Sequence, residues 1–295
     1  MHRVCAVVVT YRPPADVAGN LAALRLQVDR LVVVDNASTE QSRAGFAPWR
    51  DDDGFTLIAN AGNDGLATAL NQGMEVAERG GYDWAATFDQ DSRVPEGFIA
   101  GLLAAHAKWA GRDRVGIVAP VYRDRHLGFR YSPNRGLAGD ARPLAEIDVT
   151  LTSGNLVSTR AWREAGAFRA DLFIDYVDFE FCLRLRRRGW RILEVRGVEL
   201  GHEQGVWTQR RFLWLTPQFN DYPAARRYYQ TRNRLVIFCR YFGSSPRWLL
   251  RDGWGYVKEV VKLLLFGRER MPKLRAMARG AWHALTGRRG PWSPA

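Results

Sequence analysis

"YDWAATFDQDSRVPEG", residues 82–97, carries the clearest structural signal in the chain. An apolar run from Trp84 to Phe88 leads directly into Asp89 and Asp91, with one glutamine between them. A short apolar run of this kind is typical of a strand that is buried on both faces. Since side chains two residues apart in an extended segment point the same way, the two carboxylates would lie together and would need a compensating positive charge.

Other segments extend this pattern in both directions. Four of them are predicted to be strands: VCAVVVTY (4–11), RLVVVDNAS (30–38), FTLIAN (55–60) and VGIVAPVY (115–122). Segments with helical spacing lie between them, the two clearest at 65–81 and 95–110, where Pro95 is placed to begin a helix. Strands that alternate with helices predict an α/β fold, with a mostly parallel, Rossmann-like sheet flanked by helices on both faces.

Polar residues follow three of these strands at the point where each one ends. Thr10 and Tyr11 close the first strand, Asp35 closes the second, and Asp89 closes the strand quoted above. Ligands of open parallel sheets collect at the carboxyl ends of the strands, so we expect a ligand site at this edge. Asp35 could accept hydrogen bonds from a nucleobase or ribose, or it could serve only a local turn.

The start of the helix at 65–81 offers a second ligand contact. Asn63, Asp64 and Gly65 precede it, and exposed backbone N–H groups at that position suit a phosphate. Asp64 suits a plain N-cap equally well. The chain contains neither G-x-G-x-x-G nor G-x-x-x-x-G-K-[ST], which counts against a nicotinamide enzyme and against a P-loop ATPase.

The spacing of Asp89 and Asp91 suits a divalent cation. Hard cations prefer carboxylate oxygens, and Mg²⁺ combines one or two carboxylates with substrate phosphates. The alternatives are a pair of solvated loop acids, or Asp91 as the cap of the next helix. His202, in LGHEQG, is either a structural residue or a further ligand of such a metal–diphosphate site.

A second acidic group interleaves with aromatic residues in FIDYVDFEFCLRLRRRGW, residues 173–190. Its acids are Asp175, Asp178 and Glu180. Carboxylates that lose solvation among aromatic side chains acquire a raised pKa, which suits general-base catalysis. The alternative is a helix N-terminus at which acids are favoured by the helix dipole.

Bulk properties narrow the class of protein. The 295 residues, 46% of them hydrophobic, fit one large globular domain or one domain with an appendage. No run reaches the ~18–20 apolar residues of a membrane span, and the N-terminus lacks a signal-peptide layout. Cys5, Cys182 and Cys239 stand far apart in apolar contexts, which predicts buried, reduced thiols in a cytoplasmic protein.

The formal charge of +12 is concentrated near the C-terminus. Residues 243–295 hold eleven Lys or Arg and only three acids. Helical spacing predicts basic amphipathic helices there, with Trp248, Trp254 and Trp282 as interfacial residues. Such helices suit the surface of an anionic bilayer, or they pack as a subdomain with a solvated basic face. No helix-turn-helix, zinc-finger or RNP signature is present, so we expect no nucleic-acid partner.

Seven motifs, taken in order, resemble those of family 2 glycosyltransferases with the GT-A fold. They are VVVTY, VVDNAS, NDGLATALNQG, DQDS, SGNLVS, DYVDFEFCLRLRRRGW and GHEQG. The resemblance covers residues 4–240. DQDS together with RRYYQTRNRLVIFCRYF (226–242) is similar to bacterial rhamnosyltransferases of that family in particular.

The resemblance implies a role for each matching residue. The nucleotide would be held by Thr10, Tyr11, Asp35, Asn63, Gly65 and Asp89, with Asp35 on the base. The donor and acceptor pocket would contain Gln90, Ser153, Gly154, Asn155 and Trp207. The metal would be held by Asp91 and His202. Asp178 matches the catalytic base, but Val177 stands where many relatives have glutamate, which leaves Glu180, and more remotely Asp175, as alternative bases.

The same resemblance implies an inverting glycosyltransferase that depends on Mg²⁺ or Mn²⁺. The expected donor is dTDP-L-rhamnose and the acceptor is a hydroxyl of a cell-surface or lipid-linked glycan. UDP-galactofuranose or a UDP-hexose as donor, or a nucleotidyltransferase activity, are the alternatives. We expect a GT-A domain at 1–242, a basic helical region at 243–295, and a cytoplasmic protein at the inner face of the membrane.

Overall fold

A computed structural model describes residues 2–14, 16–49, 52–124, 128–133, 142–202, 207–209 and 218–292. For residues 41, 42, 44, 202, 207–209 and 218–220 it describes the backbone alone. The chain divides into two compact units. The first is Met1–Phe173 with Val177–Glu203, and the second is Ile174–Tyr176 with Gln204–Ala295.

The first unit is an α/β sandwich. Its strands are β1 (Val4–Thr10), β2 (Arg30–Asn36), β3 (Phe55–Asn60), β4 (Trp84–Asp89), β5 (Val115–Asp124), β6 (Arg130–Tyr131), β7 (Leu144–Glu146), β8 (Asn155–Ser158) and β9 (Arg191–His202). Its α-helices are α1 (Val17–Arg25), α2 (Glu40–Arg43), α3 (Leu66–Arg79), α4 (Phe98–Ala107), α5 (Thr159–Ala165) and α6 (Val177–Arg187). Short 3₁₀ helices span Ala44–Trp49, Arg112–Arg114 and Ala170–Leu172.

The described strands of the first unit form one sheet in the order β3-β2-β1-β4-β8-β5-β9-β7, with β6 paired to β5. β3, β2, β1 and β4 pair in parallel, as do β5 and β9. The short strand β8 runs antiparallel between β4 and β5. The predicted mostly parallel sheet is therefore confirmed, and the continuous apolar runs form its buried strands because both faces are covered.

Alternate residues of the central strands pack against helices on opposite faces. Val8 of β1 belongs to a core cluster with Leu21 of α1 and Phe98 of α4. On the other face, a Cβ placed at Gly73 of α3 would lie 2.1 Å from Val7 Cγ1. Such close packing of α3 on β1 positions the start of α3 beside the carboxyl end of the sheet.

Two sequence expectations need correction. The helix predicted from Pro95 begins at Phe98, because Phe98 N donates to Pro95 O in a turn and Gly97 has a left-handed φ of 70°. Cys239 is exposed, whereas Cys5 and Cys182 are buried as expected. Burial raises the pKa of Cys5 to about 12, so that thiol stays protonated at neutral pH.

The second unit contains a strand pair and three helices among its described residues. They are β10 (Trp207–Gln209), antiparallel to β11 (Gln218–Asn220), then α7 (Ala224–Tyr241), α8 (Pro246–Phe266) and α9 (Arg270–Leu285). A Cβ at Gly280 would lie 2.6 Å from Tyr228 O, so α9 packs closely on α7. Within the described residues, no helix combines the length and apolar character needed to cross a bilayer.

The compact units place α7 with the C-terminal helices, whereas the predicted domain boundary lies after residue 242. A compact unit defined by contacts within the chain need not coincide with a functional domain. The boundary at 242 therefore stays a prediction.

Candidate active site

The carboxyl ends of β1, β2 and β4 meet at one edge of the sheet, as the sequence predicts. Thr10 lies opposite Asp35 in the β1–β2 pair, and Val9 lies opposite Asp89 in the β1–β4 pair. Three predicted nucleotide-binding residues therefore stand on neighbouring strands at nearly the same level. This edge is the one at which open α/β sheets bind ligands.

The carboxylate of Asp35 is fully buried and bonded within the protein. Oδ1 accepts a hydrogen bond from Thr10 Oγ1 at 2.9 Å and another from the Ser38 hydroxyl. Oδ2 accepts from Ser38 N at 3.0 Å and lies 3.4 Å from Arg43 Nε. A buried carboxylate needs such partners, so Asp35 fixes the turn after β2. Neither Ser38 nor Arg43 was predicted from the sequence; the available signal for Ser38 was its position three residues after Asp35, in a turn of the Asx type.

Gln90 ties the ends of β1 and β4 together. Its side-chain oxygen accepts from Tyr11 N at 2.8 Å, and its carbonyl accepts from Asn20 Nδ2 at 3.2 Å. The Tyr11 ring is 41% exposed, and the Arg12 guanidinium lies 5.1 Å from its centroid. An exposed aromatic ring at this edge can stack on a nucleobase.

Gly65 begins α3 in a conformation that suits glycine. Its φ is 87°, and a Cβ there would lie 2.6 Å from the Phe173 ring and 2.7 Å from Phe173 O. Asn63 Oδ1 accepts from Gly65 N at 3.0 Å. Leu66 N donates to Phe173 O at 2.8 Å, so this helix-start N–H already has a protein acceptor. The helix has no side-chain N-cap bond, so the capping role considered for Asp64 is wrong.

Residues 89–92 form a turn, because Ser92 N donates to Asp89 O at 3.2 Å. Asp91 therefore lies beyond the strand, so the expected extended conformation through Asp91 is wrong and strand alternation does not apply to it. Behind the turn, Ser153 Oγ accepts from Asp89 N at 3.2 Å and lies 2.5 Å from Ser92 Oγ. A buried serine thus fixes the shape of the acidic turn.

Ser153, Gly154 and Asn155 support β4 from inside the protein. The side chains of Ser153 and Asn155 are buried. Gly154 has a φ of 81° and donates its N–H to Thr87 O at 2.7 Å, and a Cβ there would lie 2.7 Å from Leu200. The contact of these three residues with donor or acceptor stays a prediction.

The predicted metal ligands Asp91 and His202 come from segments that are bonded to each other. Arg93 N donates to Gly201 O at 3.1 Å, which joins the chain after the acidic turn to the end of β9. The backbone of His202 therefore stands beside this turn, while its side chain, like that of Trp207, lies outside the described residues. Among the described side chains, no three His, Cys, Asp or Glu residues form a metal-binding cluster.

Asp178, in the first turn of α6, lines a small cavity against the sheet. The other residues of the cavity are Thr87, Ile117, Thr152, Asn155, Val157, Phe168, Phe181 and Cys182. Because Thr87 and Asp89 are two residues apart on β4, they point to the same face of the sheet. Asp178 therefore lies on the face that Asp89 shares. Burial raises the pKa of Cys182, which keeps this neighbouring thiol protonated.

Glu180, the alternative base, is fully buried in an ion pair. Its Oε2 lies 3.0 Å from Arg184 Nη2. The same guanidinium donates to the carbonyls of Ala165, Gly166 and Ala167 at 2.8 to 2.9 Å. The pair thus anchors α6 to the segment that follows α5.

The chain just before α6 adopts a conformation that is unusual for residues other than glycine. Phe173, Asp175 and Tyr176 have φ values of 66°, 61° and 67°. Such backbone persists only where surrounding groups hold it. Within the second unit, the Asn233 side chain donates to the carbonyls of Ile174 and Asp175, at 2.8 Å each.

Asp175 and Tyr176 have charged partners within the second unit as well. Asp175 lies 2.8 Å from Arg226, so the remote candidate for a base is itself ion-paired. The Tyr176 hydroxyl donates to the Asp252 carboxylate at 2.9 Å, and burial raises its pKa. Asp252 is in turn 2.7 Å from Arg234. These pairs fix residues 174–176 on the α7–α8 helices.

The motif RRYYQTRNR explains how α7 carries these contacts. Arg232 is fully buried, with its guanidinium 5.3 Å and 5.1 Å from the rings of Tyr228 and Tyr229. Its Nε donates to Asn233 Oδ1 at 2.9 Å, which orients the Asn233 amide toward residues 174 and 175. A buried arginine is not recognisable from sequence pattern alone, so no role was predicted for these residues.

A parallel sheet with acids and a tyrosine at its carboxyl edge, and a further acid lining a cavity on the Asp89 face, is typical of α/β proteins that bind a ligand at this edge. The family model of Glycosyl transferase family 2 matches residues 5–155, just over half of the chain. The chain belongs to this family and is a glycosyltransferase.

Individual relatives agree with this assignment. The chain is 28% identical over 242 residues to dTDP-rhamnosyl transferase RfbF of Shigella flexneri, covering 79% of this chain and 78% of the relative. The mannosyltransferase PcManGT from Pyrobaculum calidifontis, solved with GDP-Man and Mn²⁺, matches 96% of this chain and 80% of its own with a TM-score of 0.55 and 17% identity. GalNAc-T7, solved with UDP, GalNAc and Mn²⁺, matches 69% of this chain with a TM-score of 0.56 and 14% identity. The chain covers only 43% of that protein. The predicted GT-A fold and the rhamnosyltransferase likeness are confirmed.

Proposed function

We propose that this glycosyltransferase moves L-rhamnose from dTDP-L-rhamnose onto a hydroxyl of a cell-surface or lipid-linked glycan, at the inner face of the cytoplasmic membrane. The likeness to a dTDP-rhamnosyl transferase supports the donor. The observation that carries the chemistry is the position of Asp178, which lines a cavity on the face of the sheet shared by Asp89.

Asp178 is the proposed catalytic base. Its carboxylate takes the proton of the acceptor hydroxyl as the oxygen attacks the anomeric carbon, and the bond to the diphosphate breaks on the opposite side. A single base facing the leaving group across the sugar inverts the anomeric centre. A positioned base of this kind contributes about 10²–10⁴-fold in rate. Glu180 is less suited, because Arg184 holds its buried carboxylate.

The nucleotide of the donor is proposed to lie across the ends of β1, β2 and β4. The Tyr11 ring stacks on the base, and Thr10 and Asp35 support the base pocket from the strand ends. Asn63 and Gly65 lie beside the nucleotide. Asp89 binds the ribose. Alignment of donor and acceptor by such fixed groups supplies up to about 7–11 kcal/mol in well-oriented systems.

We propose a divalent cation, Mg²⁺ or Mn²⁺, at Asp91 and His202. The donor set fits, since carboxylate and imidazole bind Mn²⁺ and the acidic turn is bonded to the strand that ends at His202. Two protein ligands leave room for diphosphate oxygens, the usual arrangement for Mg²⁺. When bound, the cation offsets the charge that develops on the leaving diphosphate.

A panel of sugar nucleotides tests the donor. We expect dTDP-L-rhamnose with Mn²⁺ or Mg²⁺ to raise the melting temperature and to be hydrolysed slowly without acceptor. UDP-galactofuranose, UDP-glucose and GDP-mannose should do neither. Stronger stabilisation and faster hydrolysis with a UDP-sugar would contradict the rhamnose assignment, while the family assignment would stand.

A further inference from the structure

Helix α8 of the second unit presents three different sides. The inward side carries the buried residues Trp248, Leu249 and Leu263. An outward side is apolar, with side chains between 44% and 62% exposed: Leu250, Trp254, Val257, Val261, Leu264 and Leu265. We call these six residues the apolar face. A third side carries the basic row, Arg247, Arg251, Lys258 and Lys262.

The apolar face is a continuous stripe. Counting from Leu250, the next members follow at intervals of four, three, four and three residues, through Leu264. At about 100° of rotation per residue, these side chains project from one side of the helix. The basic row runs along one edge of this stripe, and Lys258 Nζ lies 5.4 Å from the Trp254 ring.

The acids of α8 lie on its inward side. Asp252 pairs with Arg234 at 2.7 Å, and Glu259 lies 3.6 Å from Arg227 of α7. The structure describes every residue of Pro246–Phe266, and neither the apolar face nor the basic row contains a carboxylate. The outward surface of the helix is therefore both apolar and positively charged.

We propose that α8 docks on the surface of an anionic lipid bilayer. The apolar face enters the boundary between headgroups and acyl chains, and the basic row meets the lipid phosphates. A helix with one strongly apolar side and a basic flank lies in the plane of the interface, and each basic residue near the surface adds electrostatic attraction. Tryptophan, apolar in body and polar at its N–H, suits this depth.

A second copy of the chain is the competing occupant, because four-three spacing also suits helix pairing. Charge complementarity favours the bilayer. In a symmetric helix pair, the basic row of each copy would face the outward side of α8 of the other copy, which carries basic residues and no acids. Like charges repel, so this pairing is disfavoured. Anionic headgroups present negative charge along the whole length of the basic row.

Vesicle co-sedimentation tests the proposal with the full-length protein. Vesicles of phosphatidylcholine with about 30% phosphatidylglycerol are compared with phosphatidylcholine alone. The wild type should bind the anionic vesicles. Trp254→Ser/Val261→Ser should lower the bound fraction at least about fivefold, and Lys258→Glu/Lys262→Glu should lower it similarly, as should about 0.5 M salt.

Matched controls come from the first unit. Leu26→Ser changes an apolar side chain that is 89% exposed, and Lys108→Glu reverses an exposed lysine. Neither should change vesicle binding. Equal binding to neutral vesicles, or full binding by both double variants, would overturn the proposal. So would a concentration-dependent dimer that dissociates in Trp254→Ser/Val261→Ser, with no vesicle binding by the wild type.

This inference rests on the proposed function, because a lipid-linked acceptor would give the enzyme a reason to bind a membrane. The two can fail separately, because vesicle binding is measured without donor or acceptor. Hydrolysis of dTDP-L-rhamnose in solution should be unchanged in Trp254→Ser/Val261→Ser. Normal vesicle binding without any such hydrolysis would contradict the donor and leave the docking intact.

Discussion

Two acids in the first turn of α6 have different surroundings, and we infer different roles for them from these surroundings. Asp178 and Glu180 are two residues apart, so their side chains leave the helix on nearly opposite sides. Asp178 reaches the cavity beside Thr87, while Glu180 reaches Arg184 in the protein interior. The composition of the motif could not distinguish them. Their partners favour Asp178 as the base and give Glu180 a structural role.

Asp178→Asn should lower the turnover number by about 10²–10⁴-fold, because the amide cannot accept the acceptor proton. The dissociation constant for dTDP should change little, since Asn is nearly the same size and the nucleotide lies at the strand ends. Transfer rates and isothermal titration with dTDP measure the two effects. A variant with near-normal turnover would show that another group is the base.

Glu180→Gln is the matched variant two residues away. It removes the buried charge that balances the partly buried Arg184, so we expect a loss of unfolding free energy of about 1–3 kcal/mol. Chemical denaturation measures this loss. Turnover per folded molecule should stay within about threefold of the wild type, a small change on the free-energy scale. A turnover loss comparable to that of Asp178→Asn would reverse the two assignments.

At the scale of elements, α7 stabilises a stretch of strained backbone. Asn233 bonds two consecutive carbonyls of residues 174–176, and Arg232 orients the Asn233 amide. Tyr176 directly precedes Val177, the first residue of α6. The RRYYQTRNR motif thus has a physical role in addition to its family resemblance.

Asn233→Ala should lower the unfolding free energy by about 1–3 kcal/mol, the net value of two hydrogen bonds. Turnover should fall more than donor affinity, because the altered stretch leads into the helix that carries Asp178. Cys239→Ala, an exposed position on the same helix, should change neither quantity. Loss of stability without any change in turnover per folded molecule would restrict Asn233 to a structural role.

The contact between α7 and α9 predicts a dependence of stability on pH. His283 Nδ1 lies 2.7 Å from the Tyr228 hydroxyl. Burial, followed by the charges of Arg288, Arg279 and Arg232, lowers the pKa of His283 below its usual value. The unfolded chain therefore binds a proton more readily than the folded one.

Stability contributed by neutral His283 is complete above the unfolded pKa of about 6.5 and declines as pH falls below it. The melting temperature should therefore decrease between pH 7.5 and about 5.5, where carboxylates are still ionised. His283→Gln should flatten this decrease. Burial also lowers the pKa of His106. Part of the pH dependence of the melting temperature should therefore remain in the His283→Gln variant. An identical slope in wild type and His283→Gln would contradict the assignment.

At the scale of the whole molecule, the sequence predicted the parallel part of the sheet well. β1, β2, β4 and β5 are continuous apolar runs, and their ends place Thr10, Asp35 and Asp89 together by the geometry of parallel pairing alone. β8 was not predicted as a strand. Four residues of SGNLVS carry too little periodicity, and the pairing partners of β8 lie about 40 to 70 residues earlier in the chain.

The parts of the site that depend on distant pairs could not be predicted from one sequence. The sequence did not reveal that Glu180 pairs with Arg184 in the interior, and the Asn233 contacts join residues 58 and 59 positions apart. The expected extended conformation through Asp91 was wrong as well, because the strand ends at Asp89 and a turn follows. The local sequence pattern determines the secondary-structure elements. Tertiary contacts between distant residues determine which acids are available for chemistry.

Binding of nucleotide and cation should stabilise the folded molecule as a whole. A ligand present at about 100 times its dissociation constant adds ~2.7 kcal/mol to the unfolding free energy. We expect dTDP to raise the melting temperature more with Mn²⁺ than with EDTA. Asp91→Asn should remove this difference, because the proposed cation loses its carboxylate ligand, while the smaller shift by dTDP with EDTA remains. Asp53→Asn, an exposed acid before β3, should behave like the wild type. If Asp91→Asn keeps the full Mn²⁺-dependent shift, then Asp91 does not hold the cation, whatever the transfer activity of that variant.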